Sequence, residues 1–226
     1  YFNNYDPKLP FKESVIESSE INDTQEVFGM SRPRHYRRVE ISMQTRPNEM
    51  MPVLMTFPAE YSGKVPCIIF LHGIGQDNDF LNDITTPFNE AGFAMACFDQ
   101  SMQGDREVKG ALAKAVAFRK RPWKTINDTR RLIDYLETHP DIDSSRIYLV
   151  GASYGAITGC TAVAFDKRIK AAVLVVGGGN IPVLLSAPLI KNNAPKWLYM
   201  IGKPLVSFLM RPADPIRYAA KTSPTP

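Results

Sequence analysis

Cysteine is scarce: Cys67, Cys97 and Cys160 are the only three in 226 residues, and no two form a C-x-x-C pair. That excludes a disulfide-stapled scaffold and a zinc module of ordinary ligand spacing. Each cysteine sits in an apolar stretch and reads as a small buried hydrophobe, which fits a reducing compartment. Long apolar runs are missing too, none approaching the roughly 18 residues of a membrane span. A dinucleotide fingerprint G-x-G-x-x-G is absent, because neither His72–Asp77 (HGIGQD) nor Gly151–Ala156 (GASYGA) supplies it. Histidine is rarer still: His35, His72 and His139 are all there is, and none follows residue 139.

Charge of one sign is not in large excess. The net charge is +4, with basic clusters at Arg32–Arg38 (RPRHYRR) and Arg119–Lys124 (RKRPWK) that read as solvated surface. A nucleic-acid partner would require a longer basic stripe or aromatics on a recognisable module, so none is expected. No metal or cofactor is expected either. A length of 226 residues with 44% hydrophobic content suits one α/β domain. The chain opens at Tyr1, which leaves both a cytoplasmic protein and an exported one freed of its leader open. Glycosylation sequons at Asn22 and Asn127 read as chance matches.

What the sequence does contain is organised around Arg146–Ala156, RIYLVGASYGA. Four apolar residues, Ile147–Val150, run into Gly151-Ala152-Ser153-Tyr154-Gly155. Small and apolar residues then follow at helical spacing: Ala156, Ile157, Gly159, Cys160, Ala162, Val163 and Ala164. The pattern predicts strand, sharp turn, helix. A serine hydroxyl is a poor nucleophile unless it is held out of the strand, beside a base and hydrogen-bond donors. Small residues two before and two after it allow that turn. The following helix aims its N–H groups and the positive end of its dipole at the same place. Three fixed positions match by chance roughly one time in fourteen in such a chain, so the flanking strand and helix carry the assignment of Ser153 as nucleophile.

Residues 1–35 are polar, without sustained periodicity, and read as an N-terminal arm. Strands are expected at Tyr36–Gln44 and Met51–Phe57, joined by the turn Arg46–Glu49, and the alternation of Val39, Ile41 and Met43 fits a half-exposed antiparallel pair. Val65–Leu71 (VPCIIFL) is apolar throughout, as in a strand buried on both faces. It ends at His72-Gly73-Ile74-Gly75, where Gly73 and Gly75 let the backbone turn its amides toward a substrate. Ile74 N–H and Tyr154 N–H are the candidate oxyanion donors. His72 reads as shaping this loop, and His139 as sitting at a helix C-terminus.

A helix over Leu81–Ala91 precedes the buried strand Phe93–Phe98, which ends at Asp99. In the polar loop Gln100–Glu107, Asp105 and Arg106 read as surface charge, with a cleft position as the alternative. Helix-forming residues fill Val108–Arg121. A new helix is expected to start at Pro122, with Thr125 and Asp128 as a capping-box variant and Ile126, Ile133 and Leu136 as its buried stripe. The apolar strand Ile169–Val176 calls for cover on both sides, because an exposed edge of this kind invites aggregation. Residues 181–226 look helical, and 181–210 reads as a cap over the site or a crossover helix.

Taken together, the strand ending in His72-Gly73, the helix and strand ending in Asp99, the approach Asp141–Ile147 (DIDSSRI) and GASYG resemble the α/β-hydrolase fold. The nearest likeness is to its dienelactone hydrolase-like and acetyl xylan esterase-like branch. It covers residues 36–180 well and 181–226 loosely. The resemblance implies a mostly parallel central sheet flanked by helices, a domain over 36–226, and a triad in the order Ser, acid, His. Dienelactone hydrolase itself uses cysteine, so Ser153 points to a carboxylic ester hydrolase acting on a small-molecule ester through an acyl-enzyme. Peptidase and acyltransferase chemistry, or a non-catalytic binding protein with a relic elbow, stay open, as does the assembly state. Asp166 and Asp214 are poorly placed for the triad acid, and no histidine follows Ser153. Two further strands, an acid and a histidine are therefore expected beyond residue 226, without which turnover should be almost nil.

Overall fold

The computed structural model describes residues 5–27, 29–188, 191 and 196–223. Its strands are β1 (Ser14–Val27), β2 (Met30–Arg46), β3 (Glu49–Pro58), β4 (Val65–Leu71), β5 (Ala94–Phe98), β6 (Ile142–Ala152) and β7 (Ile169–Val175). They form one sheet in the order β1-β2-β3-β5-β4-β6-β7. β4 pairs in parallel with β5 and β6, and β6 with β7, whereas β1, β2, β3 and β5 pair antiparallel in succession. This mixed sheet is consistent with the α/β-hydrolase fold that the resemblance implied.

The continuous apolar run of β4 explains why it lies at the centre. Cys67, Ile69 and Leu71 face a core that includes Ile126, Leu132, Ile133 and Leu136 of α3 (Ala111–Thr138) and Ala162 and Val163 of α4 (Tyr154–Phe165). Ile68 and Phe70 point the other way, to Leu54, Met95, Cys97 and Leu81. Successive side chains on a strand take opposite faces, so a strand apolar at every position needs two covers. The chain leaves β4 to one side to form β5, then crosses back over it through α3 to form β6. β4 is therefore the point where the strand order reverses, and the crevice outside the carboxyl ends of β4, β5 and β6 is where such sheets hold ligands.

Several local expectations are corrected. Residues 1–35 contain a long strand, β1, and β2 starts at Met30 rather than Tyr36. A hairpin with both faces largely in water needs no apolar alternation; opposite charges across the ladder support it, with Arg34 2.6 Å from Asp23 and Arg38 2.8 Å from Glu17. The expected helix over 81–91 is two short ones, α1 (Leu81–Ile84) and α2 (Thr86–Glu90). Pro87 has no N–H to give the Asp83 carbonyl, and the helix breaks there. Conversely, Pro122 does not start a helix: it lies inside the 28-residue α3. One missing N–H is outweighed by the buried stripe that follows it.

Asp128 is accordingly no capping residue. Its side chain is fully buried and accepts hydrogen bonds from Thr45 Oγ1 (2.5 Å), Arg46 Nη2 (2.6 Å) and Arg106 Nη1 (2.8 Å). Glu49 extends the cluster, meeting Arg106 Nη2 at 2.5 Å and Lys124 Nζ at 2.9 Å. Arg106, expected on the surface, is held here with its side chain only 8% exposed. Burial pushes the Glu49 carboxyl up, but Lys124, Arg46 and Arg106 more than offset it, taking the group from 4.5 down to about 2. A depressed carboxylate contributes stability that is complete above pH 4.5 and is lost as pH falls toward 2. After allowance for partial solvent screening this amounts to about 1–2 kcal/mol. A Glu49→Gln variant should therefore lose stability at neutral pH and show a flatter stability profile across that acid window in denaturant titrations. An unchanged slope would show that the carboxylate is not paired.

After β7 the chain is helical, as the sequence predicts, with α5 (Ile181–Leu184), α6 (Lys196–Met210) and three short 3-10 turns. Leu189 and Ile190 lie outside the described residues. β7 itself is a sheet edge among the described residues, and Val173, Leu174, Val175 and Val176 are between 41% and 86% exposed. Its apolar sequence thus has a partner on one side only. Among the described residues no helix is long and apolar enough to cross a membrane.

Candidate active site

Ser153 stands between β6 and α4 with φ 53° and ψ −115°, a backbone conformation that L-residues other than glycine rarely adopt. What holds it there is visible on both sides. Its N–H donates to the Val175 carbonyl at the end of β7 (2.9 Å), and its carbonyl accepts the Ala156 and Ile157 N–H groups at 3.0 and 3.2 Å. Behind it, α4 is pressed against the end of β4. A Cβ on Gly155 would lie 1.8 Å from the Leu71 carbonyl oxygen, and one on Gly151 would lie 2.5 Å from the Gly155 carbonyl oxygen. Both flanking glycines of the motif are thus required by close backbone approach. Ser153 is exposed, while Tyr154, Gly155 and Ala156 are buried.

The loop after β4 lies alongside. A Cβ built on Gly73 would stand 3.4 Å from Ser153 Cβ and 3.8 Å from its Oγ. Within this loop Gly73 N–H donates to Gln76 Oε1 (2.9 Å) and Gly75 N–H to Gln103 Oε1 (2.6 Å). Three residues further on, Asn78 N–H donates to Asp99 Oδ1 (2.8 Å). Ile74 is 67% exposed, and its N–H has no partner among the described residues. Of the sequence-predicted residues, the structure sets Gly73 against Ser153, with Ile74 and Gly75 following in the same loop and Tyr154 as first residue of α4.

The histidines are elsewhere. His35 lies on β2, opposite Asn22. His139 ends α3 at the other end of the sheet, stacked on Phe57 with ring centroids 5.5 Å apart. His72 is fully buried, with Nδ1 2.9 Å from the Gly73 carbonyl oxygen, and burial lowers its pKa. Of the later acids, Asp166 is held by Arg168 at 2.6 Å. Asp214 accepts the N–H groups of Asn180 (2.8 Å) and Ile181 (2.9 Å), tying the segment after β7 to the last turns. Both carboxylates have structural work.

Three features were not anticipated. Gln76 and Gln103 hold the loop amides, and Gln103 stands in the polar loop after β5, the kind of loop that the strand-order reversal places at a ligand site. Asp99, whose pKa burial raises although Asn78 and Asp105 N–H groups oppose the shift, anchors the same two loops. Arg121, expected on a solvated basic surface, is 6% exposed and lies 4.4 Å from the centroid of the Tyr154 ring. Tyr154 also packs with Phe118, Ile181, Leu184, Val206 and Met210, so the 181–210 segment lies against the residue that follows Ser153.

The profile of the acetyl xylan esterase (AXE1) family matches residues 35–177, more than half of the chain. An uncharacterized 31.7 kDa protein from the traX-finO intergenic region of Escherichia coli is 30% identical over 141 residues, covering 62% of this chain and 47% of that protein. The polyketide transferase af380 of Aspergillus fumigatus is 26% identical over 125 residues, 53% of this chain and 40% of that protein. This chain spans about half the length of the curated relatives it matches. Among solved structures, an acetyl xylan esterase from Paenibacillus sp. R4 superposes with a TM-score of 0.65 at 17% identity, covering 94% of this chain and 71% of that one. That likeness concerns the fold.

Proposed function

The chain belongs to the acetyl xylan esterase family, and from that premise we propose that it is the nucleophile-bearing part of a carboxylic ester hydrolase that acts on a small-molecule ester through an acyl-enzyme on Ser153. The observation that carries this reading is the exposed serine held at φ 53° beside the loop of Ile74. A base takes the Ser153 proton as Oγ attacks the ester carbonyl, and the oxyanion is received by the N–H groups of Ile74 and Tyr154, the second reinforced by the positive end of α4. The same proton then passes to the leaving alkoxide, which departs as an alcohol. Water attacks the acyl-enzyme, gives its proton to the base, and releases the acid while Oγ is reprotonated. No histidine of residues 1–226 stands at Ser153, so the base and the acid that orients it are proposed to lie beyond residue 226.

Acyl transfer is the second reading, since one relative carries the name polyketide transferase. In that case an alcohol or amine replaces water in the last step. Fluorophosphonate labelling of the full-length protein separates enzyme from relic. The wild type should be labelled and Ser153→Ala should not be. Labelling that persists in the variant, or fails in the wild type, overturns the assignment of Ser153. Product analysis with and without an added alcohol then sorts hydrolysis from transfer.

A further inference from the structure

We infer that Gln103 is a positioning residue that fixes the loop after β4 so that Ile74 N–H faces the Ser153 side; this deepens the reading above and rests on it. The argument starts from the loop's amides. Gly73 N–H is taken by Gln76, Gly75 N–H by Gln103 and Asn78 N–H by Asp99. Satisfying the donors on either side of residue 74 restricts the orientation of the peptide between them, and Ile74 N–H has no partner among the described residues. Gln76 acts within its own loop and moves with it. Gln103, by contrast, comes from the loop after β5 and couples the site to a separate support.

That support is rigid. Gln103 is 7% exposed, and its loop is held at one end by Asp105 N–H donating to Asp99 Oδ2 (2.7 Å). At the same end, Arg106 donates to the Asp99 carbonyl (2.8 Å) as well as to Asp128 and Glu49. A continuous set of contacts therefore runs from a buried ion cluster, through Arg106 and Gln103, to Gly75 and the peptide of Ile74. Gln103 Nε2 is buried without a hydrogen-bond partner among the described residues, so the end of the side chain that acts on the loop is its carbonyl oxygen. A glutamate keeps that oxygen; an alanine does not.

The test uses the full-length protein, its Gln103→Ala and Gln103→Glu variants, and two readouts. Hydrogen exchange at the Gly75 amide should quicken at least about tenfold in Gln103→Ala and stay near wild type in Gln103→Glu. In steady-state hydrolysis of an activated acetate ester, Gln103→Ala should lose about ten- to a hundredfold in kcat with KM changed less than about threefold, because an oxyanion donor acts in the transition state alone. Gln103→Glu should recover most of that loss. Faster exchange that glutamate does not restore, or a loss in KM rather than kcat, would overturn the inference in favour of a general packing role. If the wild type hydrolyses no ester, the proposed function fails, and the exchange measurement alone decides whether Gln103 orders the loop: unchanged exchange in Gln103→Ala would show that it does not.

Discussion

Gly155→Ala should be among the most damaging single substitutions in the domain, costing about 3–5 kcal/mol of the 5–15 kcal/mol typical of folded proteins. The added methyl would meet backbone, 1.8 Å from the Leu71 carbonyl oxygen and 2.9 Å from that of His72. No side-chain rotation relieves such a contact; α4 must back away from the end of β4. Moving the helix shifts Tyr154 and disturbs Ser153 at once. Gly159 is the control. It lies on the same helix, but a methyl there would meet Leu149 Cδ2 at 2.9 Å and Leu174 Cδ2 at 3.2 Å, both ends of flexible side chains. Gly159→Ala should therefore cost less than half as much. Urea denaturation of both variants measures the difference; equal midpoints would show that α4 and β4 are not in backbone contact.

Those glycines also explain why this part of the molecule could be read from sequence. Gly151, Ser153 and Gly155 act locally: each constraint is set by residues within a turn or by the end of a neighbouring strand. The all-apolar runs of β4 and β5 were equally legible, because a strand covered on both faces leaves no polar position to confuse the pattern. What escaped depends on partners far away in sequence. Asp128 meets Arg46, 82 residues distant, and Gln103 meets Gly75 across 28 residues. Neither residue carries a periodic signal; a lone Gln in a polar loop looks like any surface residue until the sheet order places β5 next to β4. α3 was misread for a related reason, as a proline inside a helix is tolerated only when tertiary burial supports the turns around it. β1 was missed because its support is ion pairing across strands rather than an apolar face.

The ion cluster leads to the second large effect. Asp128→Ala removes the fully buried carboxylate that compensates Arg46 and Arg106, whose side chains are 16% and 8% exposed. Without it two largely buried guanidiniums share the single carboxylate of Glu49, and breaking a buried ion network in this way costs about 3–5 kcal/mol. Glu49 softens the loss for Arg106 (2.5 Å) and for Arg46 Nη1 (3.2 Å) but does not replace the contact to Arg46 Nη2 at 2.6 Å. The consequence should not stop at stability. Arg106 also holds the Asp99 carbonyl, so its release frees the loop that carries Gln103 and with it the Gly75 amide. Asp128→Ala should thus lower both the unfolding midpoint and the protection of Gly75, whereas Glu49→Gln, which leaves Arg106 on Asp128, should lower the first with little change in the second. Adding Arg106→Met to Asp128→Ala tests the source of the cost: replacing a stranded guanidinium by an apolar chain of similar length should restore part of the stability while leaving the loop loose. A double variant less stable than Asp128→Ala alone would mean that Arg106 remains well solvated or paired without Asp128.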